Sequence, residues 1–179
     1  NNGSWEKSIV VIGGGLSSEK QSLITSIFTS FGFSTGANGS EFQGVQFNKR
    51  VQLSPGVANI SFSNCIISST NGGVIFSGTA TNIGFINCVF SGTEGRKVEL
   101  SSSPTQSVSA IFSSCIFDGF IDGNNGISHS LLFDHCLFLN NTQETLFELK
   151  NASIHNSIFL NTDILADANT TGCTFLNNL

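Results

Sequence analysis

Charged residues are scarce in this 179-residue chain, and several residue types are almost missing. Asp, Glu, Lys and Arg make up 11% of the residues, and there are two prolines, one tryptophan, no tyrosine and no methionine. Seven basic residues stand against twelve acidic ones, for a formal net charge of −5. This balance disfavours nucleic acid as a partner, because phosphate binding requires clustered Lys and Arg.

Long apolar runs are also missing. None approaches the roughly 20 residues of a membrane span, so no span is predicted. No signal peptide is recognisable, and without methionine the pattern predicts a processed mature chain or an excised segment. Asn, Ser, Thr and Gly take the polar positions instead, which is not the charge-rich composition of a disordered chain. The length suits one domain with a substantial core.

A six-residue pattern recurs along the chain. It consists of an aromatic residue or Ile, any residue, a polar residue, Cys, an apolar residue, and Phe or Ile. Copies occupy residues 62–67, 85–90, 112–117, 133–138 and 154–159, the last with Ser157 in place of Cys. A degenerate sixth ends in Cys173-Thr174-Phe175, and an earlier coil places Val45 and Phe47 in equivalent slots. Counted from the Cys position, the spacings are 23, 27, 21, 21 and 16 residues, which is the period of a solenoid coil.

Short apolar runs separated by Gly, Asn, Ser and Thr indicate strands rather than helices. We therefore predict an all-β fold, a right-handed parallel β-helix of about six or seven coils with three strands a coil. Residues 36–179 are predicted to form the β-helix. Asn or Gly shortly after each motif is expected to adopt the left-handed backbone of a corner.

The first 35 residues follow another pattern and are predicted to form a strand and a capping helix. Residues 9–12 are apolar and end at three glycines, which we interpret as a turn rather than a phosphate loop. Leu23, Ile24, Ile27, Phe28 and Phe31 then follow at helical spacing. Such a helix would cover the open end of the solenoid. The alternative makes residues 26–28 another coil.

These repeats resemble those of the pectin-lyase-like superfamily of right-handed β-helices, over roughly residues 40 to 179. Among its members, the chlamydial polymorphic outer-membrane proteins, which are autotransporter-like surface proteins, share two short motifs. Gly72-Gly73-Val74-Ile75 is similar to their Gly-Gly-Ala-Ile motif, and Phe138 to Asn141 and Phe175 to Asn178 are similar to their Phe-x-x-Asn motif. The resemblance implies a cell-surface protein. Only one glycine pair is present, and most coils lack Phe-x-x-Asn.

The cysteines are expected to form a ladder of reduced, buried thiols: Cys65, Cys88, Cys115, Cys136 and Cys173. A linear ladder does not converge on a metal ion, so we predict neither a metal site nor a cofactor. Disulfides between neighbouring coils are the alternative, since the coil spacing falls within the permitted Cα range.

Catalysis is not predicted. Asp134 and His155 share one slot on adjacent coils, and Asp118 and Asp122 are close to Asp134 in sequence. Paired carboxylates serve glycoside hydrolysis. However, no basic residue lies between Lys97 and Lys150 to complete a lyase site. A carbohydrate-active enzyme, either a polysaccharide lyase or a glycoside hydrolase, is kept as the alternative function.

Six Asn-x-Ser/Thr sequons are candidates for glycosylation: Asn2, Asn38, Asn59, Asn140, Asn151 and Asn169. Together with the amide- and hydroxyl-rich composition, they favour an extracellular or cell-surface glycoprotein. Surface glycans are a candidate partner of such a protein.

Strand alternation predicts an apolar stripe on the outside of the solenoid. If Cys and the aromatic residue two positions later point inward, the residue between them points outward. These residues are Ile66, Val89, Ile116, Leu137 and Ile158, with Thr174 in the last copy. Such a patch marks an interaction site. We therefore expect a structural or adhesive protein that forms homo-oligomers or fibrils through this stripe, through an uncapped terminal coil ending at Leu179, or through both.

Overall fold

The protein is a parallel β-solenoid. The computed structural model describes residues 4–5, 7–13, 22–24, 30–70, 72–93, 95–100, 106–124, 129–139, 145–161 and 170–179. Within these ranges the only helical element is one 3-10 turn, Thr35–Ala37. The predicted all-β solenoid is confirmed.

Most of the strands are only two to five residues long, because Asn, Gly and Ser interrupt each apolar run. In chain order they are β1 (Ser4–Trp5), β2 (Val10–Ile12), β3 (Ser22–Ile24), β4 (Ser30–Phe33), β5 (Glu41–Gln43), β6 (Val45–Phe47), β7 (Arg50–Leu53), β8 (Val57–Ser63), β9 (Ile66–Ser68), β10 (Val74–Phe76), β11 (Ala80–Ile86), β12 (Val89–Ser91), β13 (Arg96–Leu100), β14 (Val108–Ser113), β15 (Ile116–Asp118), β16 (Phe120–Asp122), β17 (Ser130–Asp134), β18 (Leu137–Leu139), β19 (Leu146–Phe147), β20 (Ser153–His155), β21 (Ile158–Leu160) and β22 (Thr174–Leu176).

Three parallel sheets run along the solenoid, and each coil contributes one strand to each sheet. Sheet A has the order β1-β4-β7-β10-β13-β16-β19, sheet B the order β2-β5-β8-β11-β14-β17-β20-β22, and sheet C the order β3-β6-β9-β12-β15-β18-β21. Equivalent residues of successive repeats pair with each other, as in Val89 with Ile66 and with Ile116. The repeat spacing therefore sets the register, with one repeat for each rung.

Phenylalanine rings stack through the core at the rung spacing. Phe85, Phe112 and Phe133 form one column, with ring centroids 5.0 and 4.8 Å apart and nearly parallel planes. Phe90 and Phe117, 4.7 Å apart, belong to a second column, which touches the first edge to face. These rings are almost fully buried. Offset stacking is a favourable aromatic geometry, so the phenylalanines stabilise the coil-to-coil register as well as the core.

Corners use the left-handed backbone at two places in the repeat. After the motif, Asn161 and Gly92 have positive φ as predicted, while Asn140 lies outside the described residues. The second place, the residue just before the Cys slot, is a further corner that the sequence did not reveal. Its residues all have φ between 50° and 55°: Asn64, Asn87, Ser114, His135, Asn156 and Asn177.

The prediction of an N-terminal capping helix is wrong where the structure describes that segment. Leu23 and Ile24 lie in strand β3, which pairs in parallel with β6 of the next coil. Phe31 lies in strand β4 and faces Val51. Residues 17–21 and 25–29 lie outside the described ranges. The helical spacing was an unreliable signal here, because the same apolar residues also fit two successive short strands. Pairing with an existing sheet edge then favours the strands over the helix.

The sixth repeat is also placed differently from the sequence prediction. Thr174 pairs with Ser153 and Phe175 with Ile154, both in sheet B. Phe175 is therefore the first aromatic residue of its copy, Asn178 takes the Cys slot, and Cys173 stands one strand earlier. The last spacing becomes 21 residues, from Ser157 to Asn178, rather than 16. The Cys-x-Phe match was coincidental.

Candidate assembly interface

The outer face of sheet C carries the predicted apolar row. Strands β9, β12, β15 and β18 of sheet C each bury their middle residue, and the first residue of each is partly exposed. Val89 pairs with Ile66 and Ile116, and Leu137 pairs with Ile116 and Ile158. These five side chains thus lie in register on consecutive rungs. Exposure is greatest at the C-terminal end, where Ile158 is 41% exposed.

A second pair of apolar residues widens this row. Leu139 and Leu160 pair in register beside Leu137 and Ile158, and Leu160 is 48% exposed. The sequence analysis missed them, although the repeated Phe-Leu-Asn was the available signal. In earlier coils the same column holds Ser68 and Ser91, which are polar, and the exposed acidic residue Asp118, which pairs with Leu139. We define the apolar patch as the residues concentrated at the C-terminal end: Ile116, Leu137, Leu139, Ile158 and Leu160.

Leu179 extends the face by one position. Its backbone N–H donates to Ser157 O at 3.0 Å, and its carbonyl accepts from the Phe159 N–H at 2.9 Å. Leu179 is 85% exposed and stands above the Ile158 rung. Parallel pairing therefore continues past β21 and adds an apolar side chain to the end of the row.

The side chain of Asn178 joins the terminal coil to the coil before it. Asn178 Oδ1 accepts from the Ser157 N–H at 2.8 Å, and its Nδ2 donates to Ile154 O at 2.8 Å. An amide can satisfy both a donor and an acceptor of the preceding coil, and a thiol does this only weakly. Asn178 therefore satisfies polar groups of the preceding coil at this corner, and the three residues of the last strand, β22, are exposed.

Four of the five cysteines of the predicted ladder share one column of the solenoid. Cys65, Cys88, Cys115 and Cys136 are free and buried. Each thiol donates to the carbonyl two residues before it and to a carbonyl of the preceding coil, as Cys115 does to Ser113 O and Phe85 O at 3.4 Å. The neighbouring thiols of Cys136 and Cys88, together with burial, raise the pKa of the Cys115 thiol. The Cys115 thiol is therefore neutral and has a structural role.

Cys173 is the exception. It stands outside the ladder column and is only partly buried, and burial raises the pKa of its thiol. In the ladder column Ser157 follows Cys136, and Asn178 takes the slot expected for Cys173. The Ser157 hydroxyl donates to His155 O at 2.7 Å and accepts from the Cys136 N–H at 3.0 Å.

The acidic residues considered for catalysis do not converge. Asp134 and His155 are register partners in sheet B, as predicted. Asp134, however, accepts from Asn156 Nδ2 at 2.8 Å and lies 3.0 Å from His135 Nδ1. The Asn156 hydrogen bond and then His135 lower the pKa of Asp134. Asp118 lies in sheet C and Asp122 in sheet A, so the three carboxylates belong to three different sheets.

Three of the six candidate sequons fall on described residues: Asn38 and Asn151 lie at turns or bends, and Asn59 lies within strand β8. Asn59 and Asn151 are exposed and have positive φ. Asn59 Oδ1 accepts from Asn82 Nδ2 at 2.7 Å, and Asn38 Oδ1 accepts from the Ala58 N–H at 2.8 Å. Asn2, Asn140 and Asn169 lie outside the described ranges.

Comparison with known proteins adds no relative. No protein-family model matches the chain, and no curated protein or solved structure matches it. Among the described residues, no helix has the length and apolarity needed to cross a membrane. In the same ranges, no three His, Cys, Asp or Glu side chains are grouped as a metal site requires.

Proposed function

We propose that this protein is a non-enzymatic structural or adhesive β-solenoid that self-associates through the apolar patch on sheet C. The observation that carries the proposal is the in-register row from Ile66 to Ile158, widened by Leu139 and Leu160 and partly open to solvent. Apolar residues that recur on consecutive rungs of an outer face are typical of an interaction surface.

A second copy of the chain is the occupant that fits this face best. Side chains of the row repeat every rung, about 4.8 Å apart, and only a partner with the same period can interdigitate with them along the whole row. A second solenoid has that period. The five residues of the row carry no charge, and the exposed Asp118, which pairs with Leu139, adds one negative charge at its edge.

The size of the face predicts weak association. The face spans four rung steps of about 4.8 Å in one direction and a strand length of about 10 Å in the other, which gives an area of about 200 Å² on each copy. Burying two such faces contributes about 10 kcal/mol. That gain is comparable to the cost of association, about 4–15 kcal/mol. A single contact should therefore be reversible, and lateral assembly of many copies would gain strength by repetition.

The remaining parts of the proposal concern location and kinship. The composition and the sequons support an extracellular or cell-surface location, glycosylation at the sequons, and surface glycans as a second partner. Membership of the pectin-lyase-like superfamily, with chlamydial surface proteins as the nearest resemblance, is supported by the repeat motifs. Head-to-tail assembly through the terminal coil stays a prediction.

The experiment that tests the proposal is sedimentation equilibrium of the Ile116→Lys/Leu137→Lys double variant. Wild-type protein should show a reversible rise in average mass at about 0.1–1 mM, as expected for a weak contact. The double variant should stay monomeric because charge repels charge across the interface.

Ile86→Lys/Ile111→Lys is the matched control. These residues are 53% and 48% exposed on the outer face of sheet B, so the same charge is added away from the patch. The control should associate like wild type. Wild-type protein that remains monomeric throughout, or a control that dissociates equally, would sink the proposal. Unfolding of the patch variant, seen by circular dichroism, would mean that these residues face the core.

A further inference from the structure

Two of the three histidines of the chain lie beside the apolar patch. His135 occupies the corner between sheets B and C, two residues before Leu137, and its side chain is 64% exposed. His155 is the last residue of strand β20 and comes three residues before Ile158. The two histidines therefore adjoin the rungs of Leu137 and Ile158, at the end of the row where exposure is greatest.

Strand register groups the histidines with one carboxylate. Asp134 pairs with His155 of the next rung, and the His135 N–H donates to His155 O at 3.1 Å. The other residues in the column of Asp134 and His155 carry no charge: Ile12, Gln43, Ser63, Ile86, Ser113 and Leu176. The same holds for the corner column of His135, whose other members are Gly44, Asn64, Asn87, Ser114, Asn156 and Asn177. The titratable groups in these two columns are thus confined to the most exposed part of the patch.

At neutral pH the border of the patch is negative. Asp134 lies on one side of the row, and the exposed Asp118 lies on the other side, where it pairs with Leu139. The hydrogen bond from Asn156, and then His135, lower the pKa of Asp134, so its carboxylate stays charged in mild acid. Histidine is the side chain that ordinarily changes charge between pH 5 and 8. Two imidazolium groups would offset the two carboxylates and leave the border without net charge.

We propose that mild acid strengthens the self-association of this protein through protonation of His135 and His155. This regulation rests on the proposed function, because it acts only on copies that meet through the patch. When two patches meet, their borders approach each other, and like charges there oppose the contact. Two negative charges on each copy give four repulsive pairs, and at about 10 Å in water of low salt these weaken association about tenfold. Protonation of the histidines removes that loss.

Sedimentation equilibrium on the two sides of the ordinary histidine pKa, at about pH 7.5 and about pH 5.5, measures the effect. In low salt, wild-type protein should associate about tenfold more tightly at the lower pH. Added salt should reduce the difference, because exposed charges are screened. His135→Gln/His155→Gln should associate like wild type at the higher pH and should not tighten at the lower one, because an amide does not take up a proton.

Removal of a border carboxylate tests the same mechanism at neutral pH alone. Asp134→Asn keeps an oxygen that can accept from Asn156 Nδ2, so the corner should be preserved. This variant should tighten association several-fold at about pH 7.5, because most of the repulsive pairs are lost. Glu41→Gln is the matched control, since it removes one negative charge from an exposed position of strand β5, away from the patch. The control should associate like wild type.

The outcomes separate this regulation from the proposed function. Association that is equally strong at both pH values, or tightening that the double histidine variant retains, would overturn the regulation alone. Equal tightening by Asp134→Asn and Glu41→Gln would also overturn it, because total charge rather than the border would then be responsible. Wild-type protein that stays monomeric at both pH values would refute self-association itself, and the regulation with it.

Discussion

Truncation of Phe112 should be among the most destabilising changes in the solenoid core. Phe112 is fully buried, stacks between Phe85 and Phe133 at 5.0 and 4.8 Å, and meets Phe90 and Phe117 edge to face. Phe→Ala in a core costs about 3–5 kcal/mol. Each aromatic pair adds about 0.5–1.5 kcal/mol beyond burial. Phe112→Ala should therefore lie at or above the upper end of that range, near 5 kcal/mol.

Urea unfolding followed by circular dichroism measures the effect, with Phe175→Ala as the matched control. Phe175 is the equivalent residue three coils later and is 41% exposed. Its truncation should cost only about 1–2 kcal/mol, a part of the value for full burial. Phe112→Leu keeps most of the apolar volume but loses the stack, and should fall between the two. If Phe112→Ala costs no more than Phe175→Ala, the aromatic column does not hold the coils together.

Three further predictions concern the thiols and a buried histidine. Thiol titration should find five thiols after denaturation. In the folded state only Cys173 should react fast, because the ladder thiols are buried. Recovery of three thiols or one after denaturation would indicate disulfides. Cys115→Ser should lower the free energy of unfolding in urea by about 1 kcal/mol, the low end of the cost of burying a hydroxyl. The cost is low because Ser157 shows that the slot offers a carbonyl acceptor. A loss above about 3 kcal/mol would refute this. Burial lowers the pKa of His129, so the folded protein takes up its proton less readily than the unfolded chain. Stability should be full above the unfolded value of about 6.5 and fall as pH decreases below it, and His129→Gln should remove that fall; an unchanged pH profile would contradict the assignment.

Much of the fold followed from the repeat, and the reason is physical. In a parallel solenoid every coil repeats the same inward and outward positions, so the spacing of Phe and Cys defines the rungs directly. The outward direction of Ile66 and Ile116 came from strand alternation alone. The patch was wider than expected because Leu139 lies outside the repeated motif, and only pairing with Leu160 made its position significant.

Local pattern failed where two structures fit the same residues. The spacing of Leu23, Ile24 and Phe31 fits either one face of a helix or two short strands. Backbone pairing with the edges of sheets A and C favoured the strands. Cys173 looked like the next rung because Cys-x-Phe is a short match, whereas the full coil length placed Asn178 in that slot. Such ambiguities depend on pairing over about 20 residues, which a local window does not contain.

The sequence by itself determined the solenoid, its coil period, the buried thiol column and the direction of the apolar row, because each is a one-dimensional property of the repeat. Only the tertiary structure decided what neighbouring rungs bring together. Arg96 meets Asp122 across a turn of the solenoid, and Arg50 and Arg96 line one small pocket although 46 residues separate them. Insertions between repeats vary in length, so the sequence does not state which side chains share a corner. Backbone pairing fixes the rung for each residue, and the pocket follows from that register.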